Sequence, residues 1–190
     1  MAARKSIDTS DNIQTDTETE FSTQHEQAER ILRDHMLIAL GVGLVPVPIF
    51  DIAAFIGSGA VLVKRLCAVY DVSYKNNIAR SALYGIGGAI GSIGVATTLA
   101  FSLGKLIPGV GTAAGMVALP LANAAFTYAV GKIFIAHFEM GGTLLDFNAK
   151  QYSSHIKELF KKGKDKASKL RKEDAEDQMS DPSTQATAAS

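Results

Sequence analysis

SALYGIGGAIGSIGVATTLAFSLGKLIPGVGTAAGMVALPLANAAFTYAVG, residues 81–131, carries one charged side chain in fifty-one positions, Lys105. That lysine sits near the middle, in the turn-forming run Gly104-Lys105-Leu106-Ile107-Pro108-Gly109, and divides the stretch into Ser81–Gly104 and Leu106–Gly131. A helix needs roughly 20 apolar residues to cross a bilayer, so each half is long enough. Two such helices joined by a tight turn read as a transmembrane hairpin, spanning about 81–137. Small residues recur at spacing four within it, as in Ser81 and Gly85, Gly87 and Gly91, Gly88 and Ser92, and Gly111 and Gly115. Such ridges let helix backbones approach closely in a membrane. Glycine costs about 1 kcal/mol in a water-exposed helix, which favours the membrane reading over a soluble core. It is also only mildly apolar, so insertion of Ser81–Gly104 is expected to be marginal.

Outward from this block the charges segregate. The 190-residue chain is neutral overall, with 19 basic and 19 acidic groups. Residues 1–33 carry seven acids and four bases, 34–149 five and six, 150–172 two and nine, and 173–190 five and none. This pattern predicts four regions: a disordered polar arm over 1–21, a helical membrane domain over 22–145, a basic amphipathic helix over 146–172 and a disordered acidic tail over 173–190. The fold class expected is all-α, a glycine-rich hairpin with flanking amphipathic helices. No apolar run follows Met1-Ala2-Ala3-Arg4-Lys5, so no secretory signal is expected. The single cysteine, Cys67, excludes an internal disulfide and a paired-cysteine metal knuckle.

Local signals place the elements. Residues 22–44 become helical and apolar toward Gly41 and Gly43, and Val45-Pro46-Val47-Pro48 forces an extended break. Asp51 then suits the N-cap of a helix through Tyr70. Asp71-Val72-Ser73 stops it and starts another near Tyr74, which ends at about Leu103. A helix from Thr112 to His137 should kink at Pro120 and end at Gly141-Gly142. The last helix is expected from Thr143 to Lys172. Met36–Val63, which contains Pro46, Pro48 and Asp51, reads as an interfacial or re-entrant element, because a carboxylate at the bilayer centre costs about 2.5–3.5 kcal/mol. Lysines and arginines at 64, 65, 75, 80 and 150–172 flank the hairpin, and its turn holds only Lys105. The positive-inside rule therefore puts both termini in the cytoplasm, and a bacterial cytoplasmic membrane is the expected location.

Catalytic signatures are missing. Gly85-Ile86-Gly87-Gly88-Ala89-Ile90 fails the dinucleotide fingerprint at its sixth position, and Gly109-Val110-Gly111-Thr112-Ala113-Ala114 has neither a preceding strand nor a following acid. Gly104-Lys105 and Gly131-Lys132 lack the hydroxyl residue of a phosphate loop. His25, His35, His137 and His155 show no metal-ligand spacing; His137 with Glu139 reads as a polar pair at a helix end. Cys67 reads as a packing residue. No enzyme activity, cofactor or metal is expected. Asp51 reads first as a cap, with cation or proton binding as the alternative. Leu145, Tyr152, Ile156, Leu159, Phe160, Ala167 and Leu170 follow helical spacing. Lys157, Lys161, Lys162, Lys164 and Lys169 fill the other side and are candidate contacts for anionic lipid headgroups. No base-stacking or groove-reading motif accompanies them, so no nucleic acid is expected.

Several blocks carry a resemblance. Gly41-Val42-Gly43-Leu44-Val45-Pro46-Val47-Pro48-Ile49-Phe50-Asp51 resembles the opening signature of the GTPase-associated domain-of-unknown-function family 697. Lys64-Arg65-Leu66 with Tyr70-Asp71-Val72, Lys105-Leu106-Ile107-Pro108-Gly109-Val110-Gly111, and Thr127-Tyr128-Ala129-Val130-Gly131-Lys132-Ile133-Phe134-Ile135 through His137-Phe138-Glu139 and Gly141-Gly142 resemble its later blocks, in order. The resemblance covers about residues 30–145. Its members are often fused to or encoded with Era-like GTPase domains, many are membrane proteins, and no catalytic residues are established for the domain. It implies a module whose signature positions, Pro46, Pro48, Asp51, Lys105, Pro108, Gly109, Gly111, Tyr128, Gly131, His137 and Glu139, serve partner contact or structure. These residues include no GTPase domain, so a GTPase would be a separate partner. The expected function is a non-enzymatic membrane module that recruits or answers a GTPase or other cytoplasmic partner, with membrane lipid and a second copy as further partners. The alternatives are an oligomeric channel, with Asp51 or Lys105 near its mouth, and a soluble helical adaptor.

Overall fold

The computed structural model describes residues 9–42, 51–104 and 110–180, and the side chains of 19–41, 56–91, 120–173 and 176. Pro46, Pro48, Lys105, Pro108 and Gly109 lie outside the described residues, as do the side chains of Asp51 and Gly111. The described chain is all-α, with five helices and no strand: α1 (Thr9–Val42), α2 (Asp51–Val69), α3 (Asn76–Gly104), α4 (Val110–Glu139) and α5 (Ser153–Ser180).

α4 is the organising helix. Its sequence is apolar on every side, and a helix of that kind belongs inside a bundle rather than on its surface. Ala124, Ala125, Ala129, Val130, Ile133 and Phe134 are all buried. Two helices run antiparallel to it. Along α1 the pairs step evenly down the seam: His25 with Glu139, Glu29 with Lys132, Leu32 with Gly131, and Ala39 with Asn123. Just ahead of α5, Tyr152 meets His137, and within it Gly163 lies against Ala125 and Tyr128. Helices α2 and α3 complete the bundle, and Gly59 of α2 seats Leu83 of α3. Glycine has a steric role at two of these seams. A Cβ at Gly163 would come within 2.8 Å of the Ala125 carbonyl oxygen, and one at Gly131 would collide with Leu32.

Both well-defined helix ends are Schellman turns. After α4, Gly141 takes φ 79° and the Gly142 N–H reaches the His137 carbonyl at 2.9 Å. After α2, Asp71 takes φ 52° and the Val72 N–H reaches the Cys67 carbonyl at 2.8 Å. The expected stops at Asp71 and Gly141-Gly142 are thus where the chain turns.

Four expectations need correction. Helix α1 begins at Thr9, inside the segment read as an arm, and α5 continues to Ser180, past Lys172. The last helix starts at Ser153 rather than Thr143. Thr143 and Asp146 do form a cap-like turn, with Asp146 Oδ1 accepting from the Thr143 N–H at 2.6 Å and hydroxyl at 2.7 Å and the Thr143 Oγ1 accepting from the Leu145 N–H at 3.2 Å, but the helix does not propagate. Phe147 instead stacks between Phe134 and Tyr152, and Asn148 turns the backbone by accepting from the Lys150 N–H. Leu145, placed on the apolar face of that helix, is exposed in this loop.

The fourth concerns the hairpin. Among the described residues no helix is long and apolar enough to cross a membrane. The inner parts of the two charge-free stretches are core: Ala82, Leu83 and Ile86 of α3 and Pro120 to Gly131 of α4 pack into the bundle. Side chains from 92 to 119, and the turn 105–109, lie outside the described residues.

Candidate functional site

The polar groups of the described fold gather at one end of the bundle, where α1 starts its packed part and α2 and α4 finish. Glu139 Oε1 accepts from the Tyr70 hydroxyl at 2.9 Å and lies 2.5 Å from His25 Nδ1. One carboxylate on α4 therefore ties down α1 and α2. Burial first, then the hydrogen bond and negative charge of Glu139 with the charge of Glu29, pushes the Tyr70 hydroxyl far above the ordinary tyrosine range. Tyr70 thus stays a donor at any physiological pH. One turn away Lys132 Nζ contacts Glu29 at 2.6 Å, and Gln24 donates to the Val69 carbonyl at 3.2 Å. We call this set the clasp.

His137 faces the other way. Its Nε2 donates to the Thr143 carbonyl at 2.9 Å, since a carbonyl can only accept, and Nδ1 is 3.2 Å from the Tyr152 hydroxyl and can accept from it. Asp146 stands 3.5 Å from Nε2. Hydrogen bonds from the Thr143 side chain and backbone, aided by His137, hold the Asp146 carboxyl below the usual aspartate range. Phe147 and Tyr152 meet the imidazole edge-on. The buried histidine is the post around which the 140–152 loop is wound. A side chain at Gly142 would strike this ring at 2.5 Å.

His137 and Glu139, read as a pair, therefore belong to separate networks. Tyr128 is half-buried, with its Cβ where Gly163 of α5 passes, and Gly131 receives Leu32. These two signature positions shape helix seams. Cys67 is buried, and burial pushes its thiol up to about 11, as expected of a packing residue. Among the described residues no group of three or more histidine, cysteine or acidic side chains could hold a metal. A shallow groove of about 380 Å³ lies between the start of α3 and the 144–150 loop.

The candidate lipid contacts sit on α5, and the fold divides them. Ile156, Leu159, Ala167 and Leu170 are buried in the bundle, so the apolar side of this amphipathic helix is already used. Around its outer surface, Lys157, Lys161, Lys164, Arg171 and Lys172 share one flank with Ser154 and Ser168, and no carboxylate falls there. Lys162, Lys166 and Lys169 fall on the other flank, with Glu158, Asp165, Glu173 and Glu176. Lys162 is bonded to Glu158 at 2.7 Å, which first through the hydrogen bond and then through charge raises the lysine and lowers the glutamate. Lys164 lies over the Phe160 ring, 5.1 Å from its centre.

Sequence reasoning missed His25, Glu29 and Tyr70 as clasp members and Thr143, Asp146 and Tyr152 as partners of His137. The pairing of His25 with Glu139 spans 114 positions and leaves no local signature. The Thr143–Asp146 cap was visible as a spacing of three between a hydroxyl residue and an acid.

No solved structure matches the chain. Magnetosome membrane protein 22 of Magnetospirillum gryphiswaldense is 38% identical over 144 residues, covering 76% of this chain and 74% of that protein. The model of the family described as Domain of unknown function (DUF697) matches residues 8–165, which takes in all of α2, α3 and α4, the clasp and the His137 loop, and the chain belongs to that family.

Proposed function

We propose that this chain is a non-enzymatic membrane module that presents its helical bundle to a GTPase or other cytoplasmic partner. The observation that carries the membrane reading is the fifty-one-residue stretch 81–131 with its single charge. Two further features support it. One relative is named a magnetosome membrane protein. The acid-free flank of α5 offers lysines to anionic headgroups, where each nearby basic group adds about 1 kcal/mol. In this reading the outer part of the α3–α4 hairpin anchors the module, and α5 meets the lipid surface through charge alone, because its apolar side is occupied. Both termini lie in the cytoplasm of a bacterial cell. The partner reading rests on the family resemblance and on the polar contacts that tie α1 and α2 to α4 at one end of the bundle.

Fractionation of the native protein tests the anchor. Retention in the membrane pellet through high-salt and carbonate washes, with release by detergent, is the expected result. Release by salt alone sinks the hairpin anchor and leaves a charge-held peripheral protein. Capture from detergent extract of cells then tests the partner, and recovery of no GTPase or other cytoplasmic protein removes that part.

A further inference from the structure

Helices α4 and α5 lie side by side in opposite directions, and this limits how the molecule can sit on a membrane. Tyr152 meets His137 and Gly163 meets Ala125, so each step along α5 is matched by a step back along α4. Leu170, still buried in the bundle, is therefore level with about position 118 of α4, and Glu176 with about position 112, since both helices rise about 1.5 Å per residue. A crossing by α4 would take roughly 20 residues, from Val110 to about Ala129. The part of α5 level with those residues is heavily charged. Lys166, Lys169, Arg171, Lys172, Glu173 and Glu176 are all exposed on it. Standing α4 across a bilayer would carry these side chains down beside it, into hydrocarbon that excludes ammonium and carboxylate groups alike.

The acid-free flank of α5 adds a second constraint. Its ends, Lys157 and Lys172, are about 22 Å apart along the helix axis. Charges act over about 8 Å at physiological salt. An upright α5 would bring only one end of the flank near the headgroups. An α5 laid in the membrane plane brings all of it near, while Ile156, Leu159, Ala167 and Leu170 stay turned into the bundle.

We propose that the molecule is monotopic: it lies along one face of an anionic membrane on the acid-free flank of α5, with α3 and α4 laid down beside that helix and not crossing. This rests on the membrane reading above and adds the tilt and the side that reading leaves open. The two contacts named there, hairpin and α5, are compatible in this pose, where the uncharged stretch meets no more than the leaflet it faces. Upright, they exclude each other.

Ser154 and Ser168 are exposed on the same flank, about 21 Å apart along the axis, so each can carry a probe without loss of a lysine. Cys67, 1% exposed and with its thiol pushed up to about 11, does not compete for the dye, and the native core is kept. Full-length Ser154→Cys and Ser168→Cys, each labelled with a fluorophore, are bound to phosphatidylglycerol-containing vesicles with and without a headgroup-attached quencher. The expected result is that the two probes are quenched alike, within about twofold. Quenching of the Ser168→Cys probe alone overturns the inference, because α5 would then stand upright; quenching of neither in bound protein overturns it as well. Lys105→Cys reads the side independently. In spheroplasts of a bacterial host it should react with a membrane-impermeant maleimide only after detergent is added, and reaction from the outer face would show a crossing. Failure of the underlying membrane reading looks different, since the protein would then not sediment with vesicles at all, and the inference falls with it.

Discussion

His137 and Glu139 stand two positions apart on α4 and hold different parts of the molecule, His137 the Thr143–Tyr152 loop and Glu139 the helices α1 and α2. Side chains at i and i+2 point about 200° apart, so one helical turn serves as an anchor on both its sides. Replacing either should therefore damage a different contact. Glu139→Gln should lower stability by about 1–3 kcal/mol, the range for a half-buried charge-assisted bond, and loosen α1 and α2. Hydrogen exchange resolved by segment is the check: enhanced exchange in α1 and α2 with α5 unchanged is expected, and uniform exchange would show that the clasp is not local.

The glycines of this chain should divide sharply on mutation to alanine. Gly163→Ala places a methyl group against the Ala125 backbone, which cannot move aside as a side chain could, and should cost about 1–3 kcal/mol. Gly88→Ala, in an exposed part of α3 where an added Cβ meets nothing within 4 Å, should stabilise by about 0.5–1 kcal/mol through helix propensity. Urea unfolding of the two variants should shift in opposite directions, and equal shifts would mean that α5 does not approach α4 as closely as the structure has it.

Asp71 carries a positive φ without being glycine. Asp71→Gly should stabilise by about 0.5–1 kcal/mol, since the left-handed conformation costs an L-residue about that much. A thermal melt reads this directly, and a lowered midpoint would show that the Asp71 side chain contributes more than its backbone costs.

Asp146 gives the molecule an acid-sensitive loop. Its carboxyl is held below the usual range in the fold, so its contribution is present above its ordinary value and is lost as the pH falls through the folded one. The stability difference between the wild type and Asp146→Asn should be constant near neutrality and shrink as the pH falls below about 4. Melting midpoints of both proteins across the acid range decide this; a gap that widens on acidification would reverse the sign and refute the assignment.

The two flanks of α5 should differ in lipid binding. Reversal of Lys157, Lys161 and Lys164 to glutamate should weaken association with anionic vesicles by about 1 kcal/mol per site and flatten its salt dependence. The same reversal at Lys162, Lys166 and Lys169, beside carboxylates already present, should matter less. Equal losses in co-sedimentation would show that only net charge counts.

Much of this architecture was legible along the chain because it is written locally. The stop at Asp71, the glycine pair after α4 and the apolar spacing of α5 are each signalled within a few residues. The beginning of α1 was not, because Thr9 to Glu20 is polar at every position but Ile13 and no periodicity marks it. The Thr143 cap was legible and misleading: whether a capped turn propagates depends on Phe147, which finds Phe134, far away in sequence, a better neighbour than the next helical turn. The membrane reading shows a different limit. An absence of charge over 81–131 says that these residues avoid water, and both a bilayer and a bundle of five helices satisfy that.

Asn123 has a consequence for alignment. Its Nδ2 reaches the Ala39 carbonyl at 3.3 Å, while its Oδ1 is buried with no partner. Around it the α1–α4 seam is built from alanine, leucine, methionine and glycine, which would accept sliding by a turn with little penalty. An amide cannot. Shifted along the seam it would lose its one bond and keep its unmet acceptor, so the displaced alignment carries a cost that the apolar contacts alone would not impose. Asn123 thus works as an index mark, fixing how far α1 is drawn along α4.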